Sequence, residues 1–327
     1  TSGCSSADAC SITYRGTGAA SEPETQVVEA YVRSLFPDQR GPSDEDAAPS
    51  NTEGLFISIH SYGELILFPW GWTSAPSPNR DALQTLGRKF GYYTGYEVCQ
   101  VGDAACLYLA DGTTDDWSYG ELGVASYTFE LVTLFFEACT DFEAAVLDPG
   151  IDALTYAMKA SVRPYERPSG PEVSLLTAEV TNANVSHALT TDDDSAAQVF
   201  VVLTEAEARA ALAVARLTID AGTPLLLVGI ADDARFASNG FGEEPAQAIA
   251  AARYTVDVPS WITGTISHPM SVIELEVPDA TEGADRTWAV VAGTVDTTGW
   301  APGHHLLMVE AVDANGQVGV PSATAVY

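Results

Sequence analysis

Two side chains with catalytic potential lie in apolar segments of strand length. His60 follows the apolar run 55–59, and Glu130 lies inside the alternating run 124–132. Ligands and chemistry in α/β proteins gather at strand ends, and a carboxylate within an apolar strand is costly to bury unless it is paired, liganded or used. Each residue also has a structural explanation: His60 can satisfy a buried hydrogen bond, and Glu130 can occupy an edge or solvent-facing position.

Helices and further strands surround these residues. A helix is predicted from an N-cap at Ser21 and a capping-box Glu24, ending at Phe36-Pro37. Two more helices are predicted over 80–93 and 150–162, a strand over 65–68, and a turn-rich loop over 110–119. The predicted buried stripes of the three helices are Val27, Val28, Tyr31, Val32 and Leu35, then Leu83, Leu86 and Phe90, then Ile151, Leu154 and Met158.

The composition changes after a proline-rich linker. Residues 1–165 carry the mixed helix and strand patterns of an α/β domain, and 166–171 form the linker. Residues 172–327 contain many Val/Thr/Ile/Leu runs, including 253–258, 271–277, 287–295 and 305–312, with one helix predicted over 204–216, an acidic loop at 192–194 and a hairpin turn at 313–316. This pattern predicts an all-β accessory domain, an Ig-like or fibronectin-like sandwich.

Four segments of the first part resemble the C-terminal portion of the M14 zinc carboxypeptidases, the carboxypeptidase A/B/T family. They are the motif Cys-Ser-Ile-Thr-Tyr-Arg-Gly at 10–16, the motif Ile-His-Ser-Tyr-Gly-Glu-Leu-Ile-Leu-Phe-Pro-Trp-Gly-Trp at 59–72, Leu-Tyr at 107–108 with Asp-Trp-Ser-Tyr at 116–119, and Tyr-Thr-Phe-Glu at 127–130. The resemblance covers about residues 7 to 162. It implies the C-terminal part of the family's mixed-sheet catalytic domain and a zinc-dependent exopeptidase that releases C-terminal amino acids.

The resemblance also implies a role for individual residues. His60 matches a zinc ligand, and Glu130 matches the general base and acid that takes a proton from the attacking water and passes it to the leaving amine. Tyr108 matches the mobile tyrosine that hydrogen-bonds the substrate's terminal carboxylate. Ser61 and Tyr62 match residues that line the adjacent subsite.

Five positions match the pocket that sets specificity in this family: Leu67, Gly71, Ala110, Asp115 and Thr128. Asp115 falls where the members specific for basic residues carry an aspartate. An aspartate at the pocket floor pairs with a C-terminal Lys or Arg and rejects an apolar side chain, so the resemblance implies a preference for basic C-termini. Alternatively, Asp115 bonds the loop backbone, as turn aspartates often do.

The zinc ligand set is incomplete. The family's first two zinc ligands sit in an upstream H-x-x-E motif, and no H-x-x-E occurs in the 327 residues. The remaining histidines, His187, His268, His304 and His305, all fall in the predicted β domain, where they are expected to be surface or turn residues. We therefore expect the other ligands on an N-terminal segment that is missing or is a separate polypeptide, because catalytic zinc takes about three protein ligands.

Composition narrows the classes of partner. The net charge is −31, and only two of the 14 basic residues are lysines, so a basic surface for nucleic acid is not expected. No apolar run reaches the roughly 20 residues that a membrane span needs. The expected partners are peptide or protein C-termini and the segment that carries H-x-x-E.

The cysteine spacing favours an exported protein of bacterial type. Cys4 and Cys10, and Cys99 and Cys106, are spaced for short disulfide loops, and because the five cysteines are an odd number, one of them is free or paired outside the chain. A second class of function stays open: a non-catalytic peptide- or glycan-binding adhesion protein, built from a degenerate peptidase half and a β-sandwich.

Overall fold

The computed structural model describes residues 5–180, 217–236, 245–274 and 287–327. The chain divides into two compact units, residues 1–169 with 236–244, and residues 170–235 with 245–327. Within the described ranges, no helix is both long enough and apolar enough to cross a bilayer.

A four-stranded mixed sheet organises the first unit. Its order is β1-β4-β2-β3; β4 runs parallel to β1 and antiparallel to β2, and β2 runs parallel to β3. The elements are α1 (Pro23–Leu35), β1 (Leu55–Ser61), β2 (Leu65–Phe68), α2 (Arg80–Thr94), β3 (Glu97–Gln100), α3 (Thr114–Leu122), β4 (Ala125–Leu131), α4 (Cys139–Ala145) and α5 (Leu147–Ala160), followed by a 3-10 turn at Arg167–Ser169.

Helix α2 forms the core of this unit against one face of the sheet. Its predicted apolar positions Leu83, Leu86 and Phe90 are fully buried, and the Phe90 ring packs on Tyr127 and Phe129 of β4 with centroids 5.1 and 5.3 Å away. The prediction for this helix is confirmed. The predicted disulfide Cys99–Cys106 is also formed, beside the end of β3.

The prediction for α1 is wrong in two respects. The helix begins at Pro23 with Glu22 as N-cap, and no side chain caps it. The Ser21 hydroxyl bonds the Glu22 carboxylate instead, so there is no capping box. Of the five apolar positions on the predicted buried stripe, only Val32 is buried, where it packs with Leu122 and Val124; the other four are exposed.

Two further predictions are corrected. Much of the segment predicted as a loop over 110–119 belongs to α3, whose N-cap Thr113 accepts a hydrogen bond from the Asp116 amide. In α5 the predicted stripe of large residues is exposed. The buried face consists of Ala153, Tyr156, Ala157 and Ala160. The three alanines allow α5 to approach α2 closely.

The second unit contains one seven-stranded antiparallel sheet in the order β11-β10-β7-β8-β9-β6-β5. Its strands are β5 (Glu172–Val180), β6 (Leu225–Asp232), β7 (Ile249–Val256), β8 (His268–Ile273), β9 (Trp288–Val295), β10 (His305–Asp313) and β11 (Ser322–Val326). The end strands meet, since Ser322 donates a hydrogen bond to the Val173 carbonyl, and the sheet is barrel-like. An Ig-like pair of sheets is not confirmed.

The predicted turn at 313–316 does join two antiparallel strands, β10 and β11. Gly316 adopts a φ of 84°, which a glycine tolerates without strain. The predicted helix over 204–216, the acidic loop at 192–194, His187 and Cys4 lie outside the described residues.

Candidate active site

Strand register brings His60 and Glu130 together. In the parallel pair β1 and β4, His60 lies directly opposite Glu130, and its Nδ1 is 3.9 Å from a Glu130 carboxylate oxygen. Opposite residues on neighbouring strands project on the same face of a sheet. Both residues stand at the C-terminal end of their strand, where open α/β sheets hold their ligands.

Glu130 lies on an interior strand, because β4 is flanked by β1 and β2. Its side chain is 19% exposed, so the edge-strand alternative fails. Burial raises the pKa of the Glu130 carboxyl, and the nearby His60 imidazole opposes that shift. A carboxyl that holds its proton more readily than usual suits a group that must both accept and return a proton.

The His60 ring is half exposed, and its two nitrogens face different partners. Nε2 lies 2.9 Å from the Ser58 hydroxyl, two residues back on the same strand, while Nδ1 faces Glu130. Ser58 therefore orients the ring. The only sequence signal for this contact is that residues two apart on a strand project on the same face. This hydrogen bond partly supports the alternative that His60 has a structural role.

The described residues do not form a zinc site by themselves. They contain no group of three His, Cys, Asp or Glu side chains arranged to hold a metal ion. Catalytic zinc takes about three protein ligands. His60 can supply one of them, and the described part of the chain does not fit the metal without further ligands.

The predicted subsite residues form an exposed rim. The Ser61 hydroxyl donates to the Phe135 carbonyl at 3.4 Å, and the Tyr62 ring packs edge-on against Phe135 with centroids 6.4 Å apart. Tyr108 is 64% exposed, and no hydrogen bond or ring contact within the described residues joins it to His60 or Glu130.

The predicted pocket positions come together in two pairs. Leu67 and Thr128 are both buried and lie opposite each other in the antiparallel pair β2 and β4. The Gly71 carbonyl accepts a hydrogen bond from the Ala110 amide at 3.0 Å. A Cβ on Gly71 would lie 2.8 Å from the Ala110 carbonyl oxygen, so this approach requires glycine.

Asp115 is fully buried in the first turn of α3. One carboxylate oxygen accepts a hydrogen bond from the Asp116 amide at 3.1 Å; the other is buried without a partner in the described part of the chain. Burial raises the pKa of the Asp115 carboxyl. One oxygen thus bonds the backbone, as the turn-aspartate alternative expects, and the preference for basic C-termini stays a prediction.

Asp116 is a site residue that the sequence reasoning did not single out for this role. Its carboxylate accepts hydrogen bonds from the Gly71 amide at 2.8 and 3.0 Å and from the Trp72 amide at 3.1 Å, which fixes the segment after β2 against α3. Burial, followed by the charge of Asp115, raises the pKa of Asp116 to about 7. Gly71 and Asp116 are 45 positions apart in the chain, so no local sequence pattern predicts this contact.

The segment that contains these site residues is similar to known proteins. Residues 1–137 match the family model Peptidase_M14, described as zinc carboxypeptidase. This part of the chain is therefore similar to the zinc carboxypeptidases. All ten predicted site residues fall within the matched range.

Relatives in the zinc carboxypeptidase family share this segment. Zinc carboxypeptidase A 1 of Anopheles gambiae is 38% identical over 133 residues, which are 38% of this chain and 27% of the relative. Carboxypeptidase O of Bos taurus is 36% identical over 128 residues, 37% of this chain and 30% of the relative. A solved structure of thrombin activatable fibrinolysis inhibitor aligns with a TM-score of 0.40 and 24% identity, covering 49% of this chain and 38% of that chain. The chain thus spans under a third of the length of each of these two curated relatives.

Proposed function

We propose that this chain is part of a zinc-dependent carboxypeptidase that releases C-terminal amino acids from peptides. The observation that carries the proposal is the His60–Glu130 pair, set by strand register within the family-matched segment. In catalytic sites of this class, zinc polarises the substrate carbonyl and makes water easier to deprotonate. His60 provides one ligand, and the others come from a segment that carries H-x-x-E.

The chain's own residues divide the remaining tasks. Glu130 takes a proton from the attacking water at its carboxylate and returns it to the leaving amine, which its raised pKa favours. The exposed Tyr108 hydroxyl donates to the substrate's terminal carboxylate, and Ser61 and Tyr62 line the adjacent subsite. The β unit is an accessory module, and the disulfide Cys99–Cys106 fits an exported, bacterial-type protein.

The role of Glu130 is tested by Glu130→Gln in the enzyme assembled with its H-x-x-E segment. Glutamine keeps the volume but cannot carry the proton, so kcat falls by about 10²–10⁴-fold. Zinc content, measured by elemental analysis, stays at the wild-type value because Glu130 is not a ligand. Activity that survives the substitution removes Glu130 from this role.

Specificity for C-terminal Lys or Arg rests on the buried, unpartnered oxygen of Asp115. With Asp115→Leu, the ratio of kcat/KM for peptides ending in Arg to those ending in Leu drops by about 100-fold, since an apolar floor no longer pairs with a cation. Asp111→Asn is the matched control, because both Asp111 oxygens are engaged by Ser5 at the loop. Equal rates for Arg and Leu peptides with the wild-type enzyme would refute a basic preference.

A non-catalytic binding protein is the second candidate, built on the same exposed side chains of Tyr62 and Tyr108. It predicts that the purified protein, assayed with its H-x-x-E segment, binds peptide or glycan without turnover. Native mass spectrometry with zinc counting separates the two functions, because the enzyme holds about one zinc per assembled complex.

A further inference from the structure

One end of the barrel-like sheet in the second unit holds a pocket of about 640 Å³. We infer that this pocket binds a polypeptide segment through a lysine or arginine side chain, whose aliphatic stem contacts the apolar part of the pocket and whose cationic end meets Asp296. The pocket lies outside the family-matched residues 1–137, and the inference does not depend on the proposed peptidase activity.

The pocket lies at the mouth of the sheet, where β7 and β9 end and β8 begins. Strand β8 runs antiparallel to both neighbours, so the connection 257–267 between β7 and β8 and the turn 296–300 after β9 meet at the same end. These two segments supply most of the lining. Ligand sites favour the mouths of β-barrels, and their volumes usually lie between about 300 and 1,000 Å³. The place and the size of this pocket therefore suit a bound ligand.

An aromatic ring and an aliphatic side chain line the pocket from the strands. Tyr254 on β7 is 4% exposed, its hydroxyl donates to the Thr294 carbonyl at 2.9 Å, and its ring stacks on His268 with centroids 4.8 Å apart. Val295 at the end of β9 is fully buried. Because the Tyr254 hydroxyl has already donated its proton to the backbone, this part of the pocket offers a ligand chiefly apolar surface.

The connection 257–267 adds apolar side chains that are held in place. The Ile262 amide donates to the Pro259 carbonyl at 3.1 Å, and the Thr265 amide donates to the Ile262 carbonyl at 3.1 Å. The side chains of Ile262 and Ile266 line the pocket and are 50% and 73% exposed. Two side chains make too small an apolar patch for a protein interface, but they can cover the aliphatic stem of one long side chain.

The turn 296–300 contributes a carboxylate and an indole. Asp296 and Trp300 both line the pocket, and within the described residues no lysine or arginine does. The Thr298 hydroxyl and amide lower the pKa of the Asp296 carboxyl, which keeps it ionised at neutral pH. A cation is attracted both by this carboxylate and by aromatic ring faces.

The charge of the pocket distinguishes between classes of ligand. An acidic side chain or a free terminal carboxylate would meet Asp296 without a basic lining residue to pair with it. A purely apolar ligand would leave the carboxylate unpaired. Lysine and arginine combine an apolar stem with a cationic end, so they match both parts of the lining. The net charge of −31 also attracts basic segments over a longer range.

The test uses the full chain and peptides of the form acetyl-Gly-Leu-X-Leu-Gly-amide, in which X is lysine, norleucine or glutamate. The blocked C-terminus prevents binding that depends on a free terminal carboxylate. Titration calorimetry is expected to show about fivefold or more tighter binding of the lysine peptide than of the norleucine peptide, and weaker binding of the glutamate peptide than of both. Added salt reduces the preference for lysine, and the lysine peptide slows hydrogen exchange of amides in 258–266.

Two variants separate the two parts of the pocket. Asp296→Asn keeps an oxygen for the Thr298 amide and removes the preference for lysine over norleucine. Glu274→Gln is the matched control, because it removes an exposed carboxylate just beyond the other end of β8 and leaves the preference unchanged. The double substitution Ile262→Ser, Ile266→Ser weakens the binding of both peptides by about fivefold or more.

The apolar control is Val27→Ser with Leu35→Ser, which changes exposed side chains of the first unit and leaves both affinities unchanged. Four results overturn the inference: no binding of the lysine peptide, equal affinity for the lysine and norleucine peptides, equal effects of Asp296→Asn and Glu274→Gln, or displacement of the lysine peptide by equimolar cellobiose. An assembled protein that binds the lysine peptide but hydrolyses no peptide rejects the proposed function and leaves this site standing. Circular dichroism of each variant confirms that it is folded.

Discussion

The two units of this protein expose their apolar side chains in different places. In the first unit, α1 and α5 leave most of their apolar stripes in solvent, including Tyr31 and Ile151. In the second unit, large exposed apolar residues such as Ile262 and Ile266 lie in a loop, while the strands bury a continuous core around Leu307. A stripe along a helix indicates a missing packing partner, and scattered loop residues do not.

The two units also differ in the hydrogen bonding of their buried carboxylates. In the second unit Glu310 is 3% exposed and fully engaged by Arg253 and Ser260. In the first unit Asp115 and Asp116 are buried side by side, and an Asp115 oxygen has no partner in the described chain. The second unit also holds a buried hydroxyl without a partner in the described chain, Thr255 Oγ1, but only the first unit places such an atom on a carboxylate beside a second buried carboxylate, an arrangement found at binding sites.

The largest effect expected from this contrast is on core packing. Leu307→Ala removes a fully buried side chain from the second unit and lowers its unfolding free energy by about 2–5 kcal/mol. Ile151→Ala in α5 removes an exposed side chain and costs less than about 0.5 kcal/mol in the isolated chain. Urea denaturation of both variants measures the difference; a large cost for Ile151→Ala would show that its stripe is covered within the chain.

A smaller difference is expected for the buried acids. Glu310→Ala leaves Arg253 and Ser260 without their acceptor and destabilises the second unit by about 1–3 kcal/mol. Asp115→Asn removes a buried charge whose pKa is already raised by burial, so it is neutral or stabilising at pH 7. Thermal unfolding at pH 7 compares the two variants, and a destabilised Asp115→Asn protein would mean that the carboxylate is paired.

The stability of the two units is also expected to depend on pH in different ranges. The pKa of Asp116 is raised from 3.8 to about 7, so the folded state holds its proton and the first unit loses stability as pH rises between these values. The pKa of His305 is raised by the Ala301 carbonyl and by Asp257, so its contribution is complete below pH 6.5 and is lost above it. Asp257→Asn reduces the stability that the second unit loses as His305 deprotonates, by up to about 1 kcal/mol.

Denaturation across pH 4–9, followed by hydrogen exchange of amides in each unit, distinguishes these two pH ranges. Asp115→Asn shifts the first window to lower pH, since the neighbouring charge contributes to the raised pKa of Asp116. The same substitution leaves the second window unchanged. Identical windows in the two units would contradict the assignment to Asp116 and His305.

Local pattern was enough to predict several elements. The apolar spacing of Leu83, Leu86 and Phe90 predicted α2 and its buried face, and the alternation in 124–132 predicted β4. The family motifs around His60 and Glu130 identified the segment that the family model matches. These features depend on neighbours in the chain, so a single sequence carries them.

The sequence did not predict which apolar faces are covered. The apolar stripes of α1 and α5 have the periodicity of buried helix faces, yet most of their residues are exposed in the described structure. Periodicity predicts that a helix face is apolar, but it does not predict which element packs against that face. The α3 helix was predicted as a loop because turn residues dominate its start, where Thr113 caps it.

By itself, the sequence determined the residue types of the candidate site and the family that its motifs resemble. Only the tertiary structure decided that Glu130 lies on an interior strand opposite His60, that Asp116 fixes Gly71 and Trp72, and that β1 is an open edge. Strand order and contacts between residues 45 or 70 positions apart come from the packing of whole elements, and no local pattern encodes them.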